Sequence, residues 1–299
     1  MPVVIGAAAL TRAVARFEPR GAGLSVGRAL LAAAQLAVLV FNQDADLFVA
    51  TREHPTGVDC GGVRAAALPC ATADAPLVGR IAAVAVLLVV ASGYRPRWTC
   101  VPHWYVTAGL AMTMPMANGG DKIAQIATML LVPLCLGDDR VWQWGPVVRP
   151  LAANWRGVAF AALVVLRGQL CLVYAYAGLS KLGDPLWRQG SAMSVVFADP
   201  YFGLAREVHD LVAPALSWYW PMALLGWSVI AAQLVIAVAV LGGPRARALA
   251  FALGLCLHLG IALLMNLPLF TLAVLGMLVV GCAPTRRWDA GSGVLERAR

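Results

Sequence analysis

Apolar positions gather into runs near 26–41, 79–94, 104–117, 122–136, 157–180, 221–241, 246–265 and 268–282, marked off by charges, Pro and Gly. A bilayer core of about 30 Å takes roughly 20 helical residues to cross. The shorter runs therefore need interfacial turns at their ends. The pattern predicts an all-α, polytopic transmembrane bundle of about eight spans. Residues 1–25 form a tail, 26–282 a single membrane domain and 283–299 a second tail. The stretch 186–218 is too polar to cross cleanly and carries Trp187, Phe197, Tyr201, Phe202 and Trp218, with Trp220 just beyond it. It is expected to lie at the outer interface as an amphipathic or re-entrant piece. The first apolar run, Pro2 to Leu10, has no basic region before it, so 26–41 is expected to be a retained span rather than a cleaved signal.

Composition agrees with this picture. Hydrophobic residues make up 61% of the chain and charged residues 13%, with a mean hydropathy of +0.76, whereas soluble domains carry about 25% charge. Arginines cluster in alternate connections: 12, 16, 20 and 28; 95 and 97; 140, 149 and 156; 245 and 247; 286, 287, 297 and 299. By the positive-inside rule both termini are cytoplasmic in a multi-pass cell-membrane protein. The net charge of +8 then reflects topology and calls for no nucleic-acid partner. Arg12, Arg16 and Arg20, four residues apart, form either a short basic helix on the anionic leaflet or a tail that sets orientation.

Candidate chemistry centres on one stripe. In a helix, Arg167, Cys171, Tyr174, Gly178 and Lys181 share a face. Arg167 is expected near the midplane, either paired with an anion or bonded to carbonyls. Lys181 is expected at the outer end, either as an interfacial anchor or as a proton-exchanging base. The chain holds only two lysines, Lys122 and Lys181, against 21 arginines, and a desolvated ammonium can lose its proton where a guanidinium cannot. Gly119-Gly120 predicts a sharp turn before Asp121, and Asp121, Gln125 and Thr128 continue one polar stripe. That stripe is either a helix cap with interhelical hydrogen bonds or part of an outward-facing pocket. Gln233 and His258 are expected to bond between helices, with His258 a candidate proton-transfer partner.

Elsewhere the signals are weaker. Cys60 and Cys70 share the first outer loop, where they are either disulfide-bonded or two unrelated thiols. The acids Asp44, Asp46, Glu53, Asp59 and Asp74 near that loop lack calcium-loop spacing, and no metal motif occurs. His103 is expected at the interface. His209-Asp210 resembles a catalytic pair only superficially.

The string Tyr174-Ala-Tyr-Ala-Gly178-Leu-Ser-Lys181-Leu-Gly-Asp-Pro-Leu-Trp187-Arg-Gln-Gly190 resembles the signature of the HTTM family, the membrane domains related to vitamin K-dependent gamma-glutamyl carboxylase. Phe41-Asn42, Tyr94-Arg-Pro-Arg97, His103-Trp104 and Asn118-Gly-Gly-Asp-Lys-Ile-Ala-Gln125 extend the likeness to about 25–282, toward the subfamily of bacterial sporulation-delaying protein B. The resemblance implies a helical bundle with a cavity open to the non-cytoplasmic side, with Lys181 at the position of the carboxylase base. It also implies a role in maturing a secreted antimicrobial peptide with a small partner protein. On this reading Lys181, Arg167, Asp121 and Tyr174 carry the chemistry, and Gln125, Trp187 and Lys122 contact the substrate. A quinone cofactor is implied only through the carboxylases. The alternatives are a transporter or immunity-type peptide-binding protein, and a hydroquinone-dependent carboxylase or epoxidase. The residues after Lys181 depart from the carboxylase pattern, and the chain lacks the large soluble domain that carboxylases place after their membrane helices.

Overall fold

The computed structural model describes residues 7–50, 52, 55, 57–115, 117–288 and 295–297. Glu53 and Arg299, both singled out in the sequence, lie outside them. Each of the eight apolar runs is a helix. They are α2 (Ala22–Phe41), α5 (Pro76–Ser92), α6 (Pro96–Thr113), α7 (Gly119–Cys135), α8 (Ala153–Gly183), α12 (Tyr219–Ala239), α13 (Pro244–Leu264) and α14 (Pro268–Cys282). Four of these, α2, α8, α12 and α13, are long and apolar enough to cross a membrane, while α5 and α14 are shorter apolar helices. Between and before them lie α1 (Ala7–Arg16), α3 (Asp44–Leu47), a 3-10 turn at Gly62–Ala66, α4 (Leu68–Ala71), α9 (Pro185–Arg188), α10 (Ala192–Phe197) and α11 (Arg206–Leu216).

Local sequence sets the helix ends. α5, α6, α13 and α14 each start on a Pro, whose missing N–H is not needed in a first turn. α5 stops at Gly93, which holds φ +87°, the left-handed conformation that favours glycine at a helix C-terminus.

The short α14 is the central stave. It packs on α2, α7, α8 and α13, and buried side chains lie on all its sides, as expected of a helix apolar all round. Small residues permit the close approach. Gly276 faces Gly27 of α2, and a side chain on either would meet the other's backbone carbonyl. The main core joins α2, α7, α8, α12, α13 and α14, while a second joins α2, α5 and α6 around Leu87, Val90 and Leu110.

A small antiparallel sheet departs from the all-helical expectation. It consists of β1 (Phe17–Glu18), β2 (Arg286–Trp288) and β3 (Leu295–Arg297), in the order β1-β2-β3. The sheet joins the two tails at one end of the bundle, called here the sheet end. The connections 93–95 and 136–152 lie at the same end. Cys60 and Cys70 are joined in a disulfide at the opposite end, the disulfide end.

Candidate functional site

At the disulfide end the Lys181 motif folds back on itself. Lys181 closes the last turn of α8 and donates from Nζ to its own helix, at Ala177 O, 3.1 Å away. Asp184 then caps α9 by accepting from Leu186 N at 2.8 Å. This turn carries Trp187 back, so that the Lys181 ammonium stands 5.0 Å from the centre of its ring, a cation–π contact. Trp227 of α12 fixes the same turn by donating from its indole to Trp187 O at 3.2 Å. The Asp-Pro-Leu-Trp spacing is therefore the geometry that lays an aromatic face over the lysine. Lys181 is half-buried.

The other candidates lie apart. Fourteen residues separate Lys181 from Arg167, about 21 Å along a helix, so one small substrate group cannot touch both. Tyr174, midway, is buried and shares a hydrogen bond of 2.9 Å with His258 Nε2. His258 is held by Thr271, whose hydroxyl donates to its backbone carbonyl, and its Nδ1 is buried without a partner. Asp121 accepts from Asn118 N at 3.0 Å and from Gln35 Nε2 of α2 at 3.3 Å, which makes it both a cap and an interhelical link. Lys122 is exposed and donates to Ala111 O at the end of α6. Gln125 is half-buried and its backbone carbonyl accepts from Thr128. The exposed His209 and Asp210 are 3.4 Å apart.

Of the two expectations for Arg167, an anion or helix carbonyls, it is a carbonyl that the side chain meets. α8 has 31 residues, about 46 Å, and its first turns run past the neighbouring helices to meet the N-terminal segment. There Phe17 packs edge-on against Phe160, and Arg156 donates to Ala15 O. The excess length brings Arg167 level with the last turn of α14, where its Nε donates to Gly281 O at 2.9 Å. Among the described residues neither Arg167 nor Lys181 forms an ion pair.

A cavity of about 520 Å³ opens elsewhere at the disulfide end, walled by Leu39, Phe48, Leu68, Val106 and Leu110 and closed on one side by the Cys60 loop. Asp44 and Arg80 form its polar rim. Arg80 bonds to the Asp44 carboxylate and to the carbonyls of Leu39 and Asn42, satisfying the open C-terminal end of α2. The volume and the mainly apolar wall fit a ligand pocket.

The sheet end holds residues that the sequence reading placed in loops. Arg28, 1% exposed, donates to Gln143 Oε1 at 2.8 Å and to Thr99 Oγ1 at 2.5 Å. Gln143 in turn donates to Ser25 O and accepts through its own carbonyl from Ser25 Oγ. The connection 136–152 is thus bolted onto α2 rather than being a plain interfacial link. His103 is fully buried close by, not interfacial. Arg20 and Glu18 form a buried pair at 2.7 Å. Burial alone would push the Arg20 guanidinium down, but Glu18, with Asp138 and Asp139 behind it, holds it above its ordinary value.

Comparison with known proteins supports the likeness to the sporulation-delaying protein and does not show the wider HTTM family. The chain is similar to sporulation-delaying protein SdpB of Bacillus subtilis (strain 168), 26% identical over 264 residues, which cover 87% of this chain and 80% of that protein. It is also similar to the uncharacterized protein YitO of the same organism, 27% identical over 204 residues, covering 67% and 65%. No family model and no solved structure matches the chain.

Proposed function

We propose that this chain is a multi-pass membrane protein that matures an exported peptide at its disulfide end. The similarity to the sporulation-delaying protein over most of both chains carries the reading. The architecture supports it. In this reading all eight helices cross the bilayer and both tails emerge on one side. The arginine-rich connections favour the cytoplasm for that side, and a disulfide at the far end suits an oxidising exterior. The exterior end holds the Lys181–Trp187 turn, the Tyr174–His258 pair and the 520 Å³ cavity.

Lys181 acts as the proton-exchanging group, while Trp187 fixes its position. Asp121 and Tyr174 hold the surrounding helices in register, and Gln125 and Lys122 flank the approach. Lys181 is not among the residues that line the 520 Å³ cavity.

The test is mass spectrometry of peptides secreted by the native host. The wild type, a strain lacking this gene and a strain carrying Lys181→Arg are compared. At least one mature species is expected to vanish, or to shift in mass, in both altered strains while the Lys181→Arg protein accumulates normally in the membrane. An identical set of secreted peptides in all three would remove the proposal. An unchanged peptide retained inside the cell would favour transport.

A further inference from the structure

Among the described residues, two guanidinium groups at the sheet end form no ion pair with a carboxylate. Arg167 of α8 spends its Nε on Gly281 O and leaves Nη2 buried without a partner. Arg247 of α13 is 9% exposed; its Nη1 donates to Gly242 O at 2.6 Å, and its Nε is likewise buried and unpaired. Gly281 lies in the last turn of α14, whose partial negative charge draws a cation there, while Gly242 lies in the turn between α12 and α13. Arg247 stands in the first turn of α13, which packs on α14, so both guanidiniums sit at the same end of that helix pair. A side chain at Gly281 would collide with Leu170, so the glycine keeps α8 near enough for Arg167 to reach its carbonyl. The result is two like charges with unused donors and, among the described residues, no ion-pair partner. Buried charges are ordinarily paired, so a counter-ion from outside the chain is called for.

The surroundings indicate its chemistry. Val164 and Val165 beside Arg167, and Leu241 and Leu249 beside Arg247, are exposed apolar side chains on the bundle's flank. Arg245 is exposed in the same turn. A polar head between guanidiniums with apolar contacts alongside matches an anionic phospholipid, and basic pockets between membrane helices on the cytoplasmic side bind such headgroups. Forked guanidinium donors suit phosphate oxygens.

We propose that Arg167 and Arg247 together form a phosphate-binding site at the sheet end, filled by the headgroup of an anionic lipid. The site is about 20 Å from Lys181 along α8 and does not depend on the peptide chemistry proposed there.

The test uses the full-length protein in detergent micelles, read by native mass spectrometry and by thermal unfolding. Phosphatidylglycerol, phosphatidylcholine and inorganic phosphate are added separately. Wild type is expected to retain phosphatidylglycerol over phosphatidylcholine and to be stabilised by it. Arg167→Gln and Arg247→Gln are each expected to weaken retention about tenfold, whereas Arg245→Gln changes it less than twofold. Equal stabilisation by inorganic phosphate would keep the site and make a soluble phosphate its occupant. Lipid retention unchanged in the Arg167→Gln/Arg247→Gln double variant, or wild type binding none of the anions, would overturn the proposal. The wild-type arm needs no variant, so a misfolded substitution leaves the question answerable.

Discussion

The two ends of the bundle are built on opposite plans. At the sheet end, polar side chains close on each other. Arg28, Gln143, Thr99 and Ser25 form one network, and Glu18, Arg20 and the Arg149 carbonyl form another. Both ends leave some buried polar atoms unpaired, the sheet end at Arg28 Nε, Arg167 Nη2 and Arg247 Nε and the disulfide end at Gln35 Oε1 and His258 Nδ1, but at the disulfide end a cavity sits behind a covalent strap. Networks that join distant segments rigidify a fold, whereas a mainly apolar cavity leaves room for a ligand. The contrast teaches where to look: the end whose connections are bound across to the helices holds the frame, and the end that encloses a cavity has room for the work.

Substitutions test that division, beginning with the largest effect. Arg28→Ala leaves Gln143 Oε1 and Thr99 without their shared donor and opens a void. It should lower stability by about 3 kcal/mol, measured by thermal unfolding in detergent, and a change below about 1 kcal/mol would mean the sheet end is not the frame. Replacing Cys60 and Cys70 with Ser should release about 2 to 3 kcal/mol of loop constraint. Limited proteolysis should then cut within 57–73 while the helices stay protected, and loss of protection throughout would make the strap part of the frame. Tyr174→Phe removes one buried hydrogen bond and should cost about 1 kcal/mol, with peptide maturation impaired beyond what that loss explains. Lys181→Arg keeps a cation over Trp187 and should change unfolding by less than about 0.5 kcal/mol, yet abolish maturation. Normal maturation in that variant would make Lys181 an anchor.

Much of this was legible from the chain because membrane helices announce themselves. The eight apolar runs fall on helices whose Pro and Gly ends match the breaks in the pattern. Asn118-Gly-Gly-Asp121 reads as a cap because short-range geometry fixes it, and Asp184-Pro185 reads as a turn for the same reason. Arg28 was misread even though it stands inside the first apolar run. Treating each arginine near a span end as a topology marker ignores which face it presents, and its partner Gln143 lies 115 residues away. Arg247 was hidden for the same reason. The carbonyl that Arg167 meets, Gly281 O, lies 114 residues away and leaves no local signal. The cavity has no local signature, since the segment that closes it folds back from a loop. The sheet strands, two and three residues long, are too short to leave a pattern.

The central position of α14 has a consequence for biosynthesis. The helix that four others pack around leaves the ribosome after all of them, so those helices must wait with their inward faces unmatched. A chain cut short before residue 268 would carry every earlier helix yet have nothing to gather them. Such a fragment offers a quality-control protease a groove the folded protein never shows, so termination just before residue 268 should be nearly as damaging as termination early.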